Sequence, residues 1–227
     1  MEFVQGGRLP ARDGCRAEAS RRAPVRWSAD CKRTDFRYDI GRLKNKQTRR
    51  GNPIMALSLY DASVANYLQT LGAVSGFLDR GLAHFREHNI DPETIVEARL
   101  APDMLPLRFQ IISVAQHSRG AIEGVQQGVF NPPSFKTPFD FAGLQGLVAQ
   151  AREVLSALTP EAVNALGGND VIFALGDRKL PFTAEGFLMS FSLPNFYFHA
   201  TTAYDILRTN GVPLGKRDFT GRLKMKT

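Results

Sequence analysis

Cysteine is almost missing from this sequence: its 227 residues hold two, Cys15 and Cys31, and both precede Met55. The remainder therefore has no thiol, which excludes a disulfide scaffold, a thiolate zinc site and a cysteine nucleophile from it. Long apolar runs are missing too. No stretch reaches the roughly 18 consecutive apolar residues that a membrane-spanning helix needs. A glycine-rich phosphate loop, a G-x-S-x-G elbow and an H-E-x-x-H pair are all absent, and with them the common catalytic signatures. What is present, 43% hydrophobic and 22% charged residues, is the composition of a globular protein. The length suits one domain with an appendage better than two full domains.

The formal net charge of +7 suggests a nucleic-acid partner until it is divided along the chain. Residues 1–54 carry 14 Lys and Arg against 6 Asp and Glu, whereas the residues from Met55 onward carry 15 against 16. The basicity belongs to the first stretch. That stretch has few aliphatics and no sustained helical or strand periodicity, so it reads as a disordered basic tail over 1–54. Its six acidic residues argue against a transit peptide, and it has no apolar core for a secretory signal. Met55, opening MALSLYD, resembles a start residue in its own right. The expected organisation is a tail over 1–54, a domain over 55–221 and a short C-terminal tail over 222–227. The folded domain should bind no nucleic acid and no membrane, and a cytoplasmic location follows.

From Val64 the apolar residues Leu68, Leu71, Leu78, Leu82 and Phe85 fall on one helix face, with Ser75 in the single gap. Asp91 and Pro92 supply a cap and first-turn proline for a short piece ending near Leu100. A second long helix is expected from Leu107 to about Gly128, striped by Leu107, Ile111, Val114, Ala121, Ile122, Val125 and Val129. Thr137 with Pro138 and Asp140 resembles a capping box for a third, whose stripe runs from Phe141 to Leu158. Thr159-Pro160-Glu161 starts one more short turn. VIFAL and RKLPF around Gly176-Asp177 predict a small β-hairpin, with Pro181 confining the second strand to an edge. Thr183 caps a last long helix, kinked at Pro194, that stops at Asn210-Gly211. Four long amphipathic helices make an all-α four-helix bundle the economical architecture.

Of the four histidines, His84 and His88 have metal-compatible i, i+4 spacing but fall outside the apolar seam and read as a solvated helix end. His199 differs, because Phe196, Ala200, Ala203, Ile206 and Leu207 around it are apolar. A buried imidazole needs a partner. Asn195, four residues earlier, and His117, on the edge of the second helix's stripe, are the candidates. His117, Asn195 and His199 are thus expected to form a polar pocket inside the bundle, either as a core hydrogen-bond network or as a metal site.

The runs SLYDASVANYLQTLGAVSGFLDRG and NFYFHATTAYDILRTNGVPLGKRDFTG resemble the family catalogued as domain of unknown function 1993, within the DinB-like/YfiT-like superfamily of metal-dependent four-helix bundles. The likeness covers about Met55 to Gly221. It implies a divalent metal held by a second-helix histidine and an H-x-x-x-H pair on a late helix, used in thiol transfer or isomerisation. His117 matches the first position and His199 the second half of the pair; Asn195 stands where the other histidine would be, and Asn is a poor zinc or nickel ligand. The leading reading is a DinB-like helical bundle with a polar pocket at His117, Asn195 and His199 and no assigned activity, and two alternatives stand beside it. One is a divalent-metal-dependent transferase or isomerase-like enzyme with His117 and His199 as ligands; the other is a non-catalytic homodimer. A small-molecule ligand fits the pocket in either case.

Overall fold

A computed structural model describes residues 57–134 and 138–226. The chain divides into two units, residues 1–51 and 52–227, and every described residue belongs to the second. The tail read over residues 1–54 lies outside the described residues. The cap expected at Thr137, with Pro138 opening the helix, is corrected, because residues 138–140 are not helical and the third long helix begins only at Phe141, behind Asp140.

A one-turn helix α1 (Leu59–Ala62) is capped by Ser58, whose hydroxyl accepts from Asp61 N. It leads into α2 (Val64–Glu87), the longest element, whose apolar seam buries Val64, Leu71, Val74, Leu78 and Phe85. α2 ends where Asn89 takes a left-handed φ of 56°, a conformation asparagine tolerates better than most residues. Asp91 then caps α3 (Pro92–Val96), with its carboxylate accepting from Glu93 N and proline in the first turn, as the sequence predicts.

The second long helical segment is interrupted. α4 (Leu107–Ala115) passes through a π-helical turn at Gln116–Gly120 before α5 (Ala121–Gln127), and Gly128 closes it with φ 73°. Val129, expected on the buried stripe, is instead 40% exposed, because it leaves the helix for the short strand β1 (Val129–Phe130). α6 (Phe141–Ser156) is capped by Asp140, which accepts from Gly143 N. Thr159 caps α7 (Pro160–Asn164).

The hairpin forms as β2 (Asp170–Leu175) against β3 (Arg178–Thr183), antiparallel, with Ile172 opposite Pro181. β1 joins β2 in parallel to give the order β1-β2-β3, so Pro181 lies on an edge strand, where its missing N–H costs no ladder bond. Thr183 caps α8 (Ala184–Gly186), a second π-helical turn spans Phe187–Ser192, and α9 (Leu193–Thr209) follows with Pro194 in its first turn. A proline has no N–H to give, and this one sits where the π-helical turn has just shifted the hydrogen-bond register. A final short helix α10 (Lys216–Thr220) packs on α2.

Four long helical segments close into a ring: α2 packs on α6 and α9, and α4 packs on the same two. Tyr67, Phe77, Phe85, Phe130, Phe141, Phe187 and Phe196 are fully buried between them. Each such side chain stabilises the fold by about 1.5–3 kcal/mol relative to exposure. Among the described residues no helix is long and apolar enough to cross a membrane.

Candidate functional site

The two π-helical turns carry the site. One places His117 and the other ends at Ser192, and a three-part relay ties them together. The Tyr67 hydroxyl donates to Ser192 Oγ at 2.8 Å, and Ser192 Oγ donates to the His117 carbonyl at 2.7 Å. A π-helical turn disturbs the regular i→i−4 ladder, and here a serine from the facing segment supplies a partner to one of the carbonyls concerned. Burial of the Tyr67 phenol pushes its ionisation further up, so it stays a neutral donor.

With the backbones so fixed, the imidazoles of His117 and His199 stack at a centroid distance of 5.8 Å and an interplanar angle of 15°. His117 is also flanked by Phe130 and Phe191, and His199 by Phe109 and Phe198. Both histidines are buried. Burial, then the neighbouring His199, lowers His117 to about 3, and burial lowers His199 to about 4. Both rings are neutral at pH 7, because burial disfavours the charged form.

The partner of His199 is a residue that sequence reasoning missed. His199 Nδ1 lies 2.8 Å from Gln110 Oε1, and Gln110 Nε2 donates to Leu105 O at 2.7 Å. The second bond orients the amide with its oxygen toward the ring, so His199 carries its proton on Nδ1 and keeps the Nε2 lone pair. Gln110 is seven residues before His117 on the same helical segment, a spacing that could have flagged it; glutamine simply reads as a surface residue.

Asn195 is only half-buried, and its amide donates to Phe191 O of its own segment at 2.7 Å. Thus the structure brings His117 and His199 together, while the Asn195 nitrogen is spent locally. His117 Nδ1 is buried without a hydrogen-bond partner, and so is Oγ of Ser113, one turn earlier. Such orphans are uncommon, and two within one turn leave room in the hydrogen-bond accounting for an additional polar group.

His84 and His88 sit at the end of α2, their rings 4.1 Å apart, with His88 Nδ1 donating to His84 O. Among the described residues no group of three or more His, Cys, Asp or Glu could hold a metal ion. The donor set at the stacked pair offers two neutral imidazoles and one amide oxygen. A catalytic zinc takes three protein ligands and a structural one four, drawn from imidazole, thiolate and carboxylate. The stacked pair supplies two imidazoles, one ligand short of the smallest of these sets. These residues do not fit a resident divalent metal.

No curated protein matches the sequence. Among solved structures, the chain is similar to a DinB family member protein from Shewanella denitrificans, with 24% identity, a TM-score of 0.62, and coverage of 74% of this chain and 95% of that one. That likeness extends to the fold, a helical bundle with a small sheet. The family model for a domain of unknown function, DUF1993, matches residues 59–220, and the chain is a member of that family.

Proposed function

We propose that the working centre of this DinB-like bundle is the stacked His117–His199 pair, acting without a metal as a neutral hydrogen-bonding site for one polar group of a small, largely apolar molecule. The observation that carries the reading is the pair of orphaned buried atoms, Ser113 Oγ and His117 Nδ1, beside an imidazole whose tautomer Gln110 fixes. A ligand hydroxyl or amide is the kind of group that pairs with such atoms, and Phe109, Phe130 and Phe191 around the rings favour an apolar or aromatic body. Rings with such lowered proton affinity are weak bases, which suits them to binding and orienting a group more than to abstracting its proton.

The divalent-metal alternative gives a distinct outcome. Protein purified without a tag or chelator should contain no stoichiometric zinc or nickel, and added metal should leave its melting temperature unchanged. His199→Ala should destabilise the fold by about 1–3 kcal/mol, because Gln110 loses its partner. Stoichiometric metal, with a melting temperature that rises on metal addition in the natural protein but not in His199→Ala, would overturn the reading.

A homodimer is the second reading, supported by Phe198 at 57% and Tyr197 at 38% exposure, adjacent on α9. Aromatic residues of that size are enriched in interfaces.

A further inference from the structure

A large cavity lies away from the histidine pair. It is a groove of about 990 Å³ with α2 as its floor and two walls, Arg152 of α6 and the stretch from Arg217 to Met225. None of the residues around His117 and His199 lines it. Its charge is unlike the rest of the domain: five cations, Arg80, Arg152, Arg217, Arg222 and Lys224, face two carboxylates, Asp61 and Asp218. Asp218 is already engaged, by Arg80 and by the N–H of Gly215. The other four cations form no ion pair among the described residues. A domain whose charges nearly balance as a whole thus concentrates positive charge on one concave surface.

The floor beneath those cations is apolar. Leu68, Gly72, Ala73 and Gly76 line it, and a Cβ added at Gly72 or Gly76 would meet nothing within 4 Å. Glycine inside a helix weakens it relative to alanine, and internal packing requires neither of these two. Their effect is to leave the backbone of α2 open to close approach along the groove. Leu223 and Met225 on the far wall add apolar surface. From Leu68 to Arg80 the floor extends about 18 Å at the helical rise, an elongated shape.

We infer that this groove binds an anionic amphiphile, with a hydrocarbon chain lying on the glycine floor of α2 and its carboxylate or phosphate head held by Arg152 and Arg222. Guanidinium groups pair with either head in a forked geometry, and the volume is at the upper end of small-molecule sites.

Isothermal titration of the full chain with decanoate and with decyl phosphate tests this, with decanol and decyltrimethylammonium as the neutral and cationic controls. Saturable binding of at least one anion is expected, weakening as salt is raised, with both controls at least tenfold weaker. The relative affinity of the two anions identifies the head. Gly76→Leu should weaken anion binding at least tenfold by filling the floor, and the double variant Arg152→Glu, Arg222→Glu should do the same by reversing the wall. Both leave the basic stretch before Met55 intact. Variants that keep the natural melting temperature and bind as tightly as the natural protein would assign the affinity to that stretch and overturn the proposal. So would an absence of saturable anion binding, equal binding of decanol, or binding of an acidic peptide but neither amphiphile. His199→Ala should bind decanoate like the natural protein, so the groove and the histidine pair stand or fall separately.

Discussion

An imidazole removed from water stays neutral, and at His117 the neighbouring His199 adds to the effect of burial. This makes His117 and His199 a source of pH-dependent stability. Their folded values of about 3 and about 4 lie below the unfolded histidine value of about 6.5, so between these limits the unfolded chain binds more protons than the native one. The contribution is complete above about pH 6.5 and is lost as the pH falls toward the folded values. Urea midpoints measured from pH 7.5 to 4.5 should decline steadily below about 6.5. His117→Gln, whatever its absolute stability, should show a shallower decline; an unchanged slope would place the titration elsewhere. The sequence made both histidines visible, since apolar neighbours at helical spacing mark a buried imidazole. It did not reveal Gln110, because a glutamine's burial depends on what the facing helix brings to it, and here that is the His199 ring itself.

At the scale of elements, the periodic stripes predicted the long helices, their stops and the hairpin, because burial of one helix face leaves a direct trace in residue type. The two π-helical turns left none. Each adds a residue to a turn without changing composition, and what stabilises it comes from across the bundle, as Ser192 reaching the His117 carbonyl illustrates. β1 is similarly silent: two residues recruited to a parallel pairing have no periodicity to display. Ser192→Ala should therefore cost more than a surface serine would. It deprives the His117 carbonyl of a donor and the buried Tyr67 hydroxyl of an acceptor, for a loss of about 1–3 kcal/mol in chemical denaturation. Adding Tyr67→Phe should recover part of that loss by removing the stranded hydroxyl. A fully additive double variant would show that the relay is not coupled.

On the scale of the whole molecule, the ring of α2, α4, α6 and α9 encloses the histidine pair, and every apolar stripe that builds it lies after Met55. Residues 1–54 contribute no periodic apolar face in the sequence, so protein starting at Met55 should melt within a few degrees of the full chain. It should also show no salt-sensitive binding to DNA, in keeping with its near-balanced charge. A large fall in melting temperature on truncation would mean that the first stretch packs on the bundle. The central claim concerns what that bundle encloses, a neutral and metal-free imidazole pair, and nitrogen-15 NMR of the histidine side chains tests it most directly. The account predicts that His199 carries its proton on Nδ1, that both buried rings stay neutral down to pH 5, and that added zinc leaves their shifts in place. A His199 protonated on Nε2, a buried ring titrating near pH 6.5, or zinc-dependent shifts at His117 and His199 would contradict it.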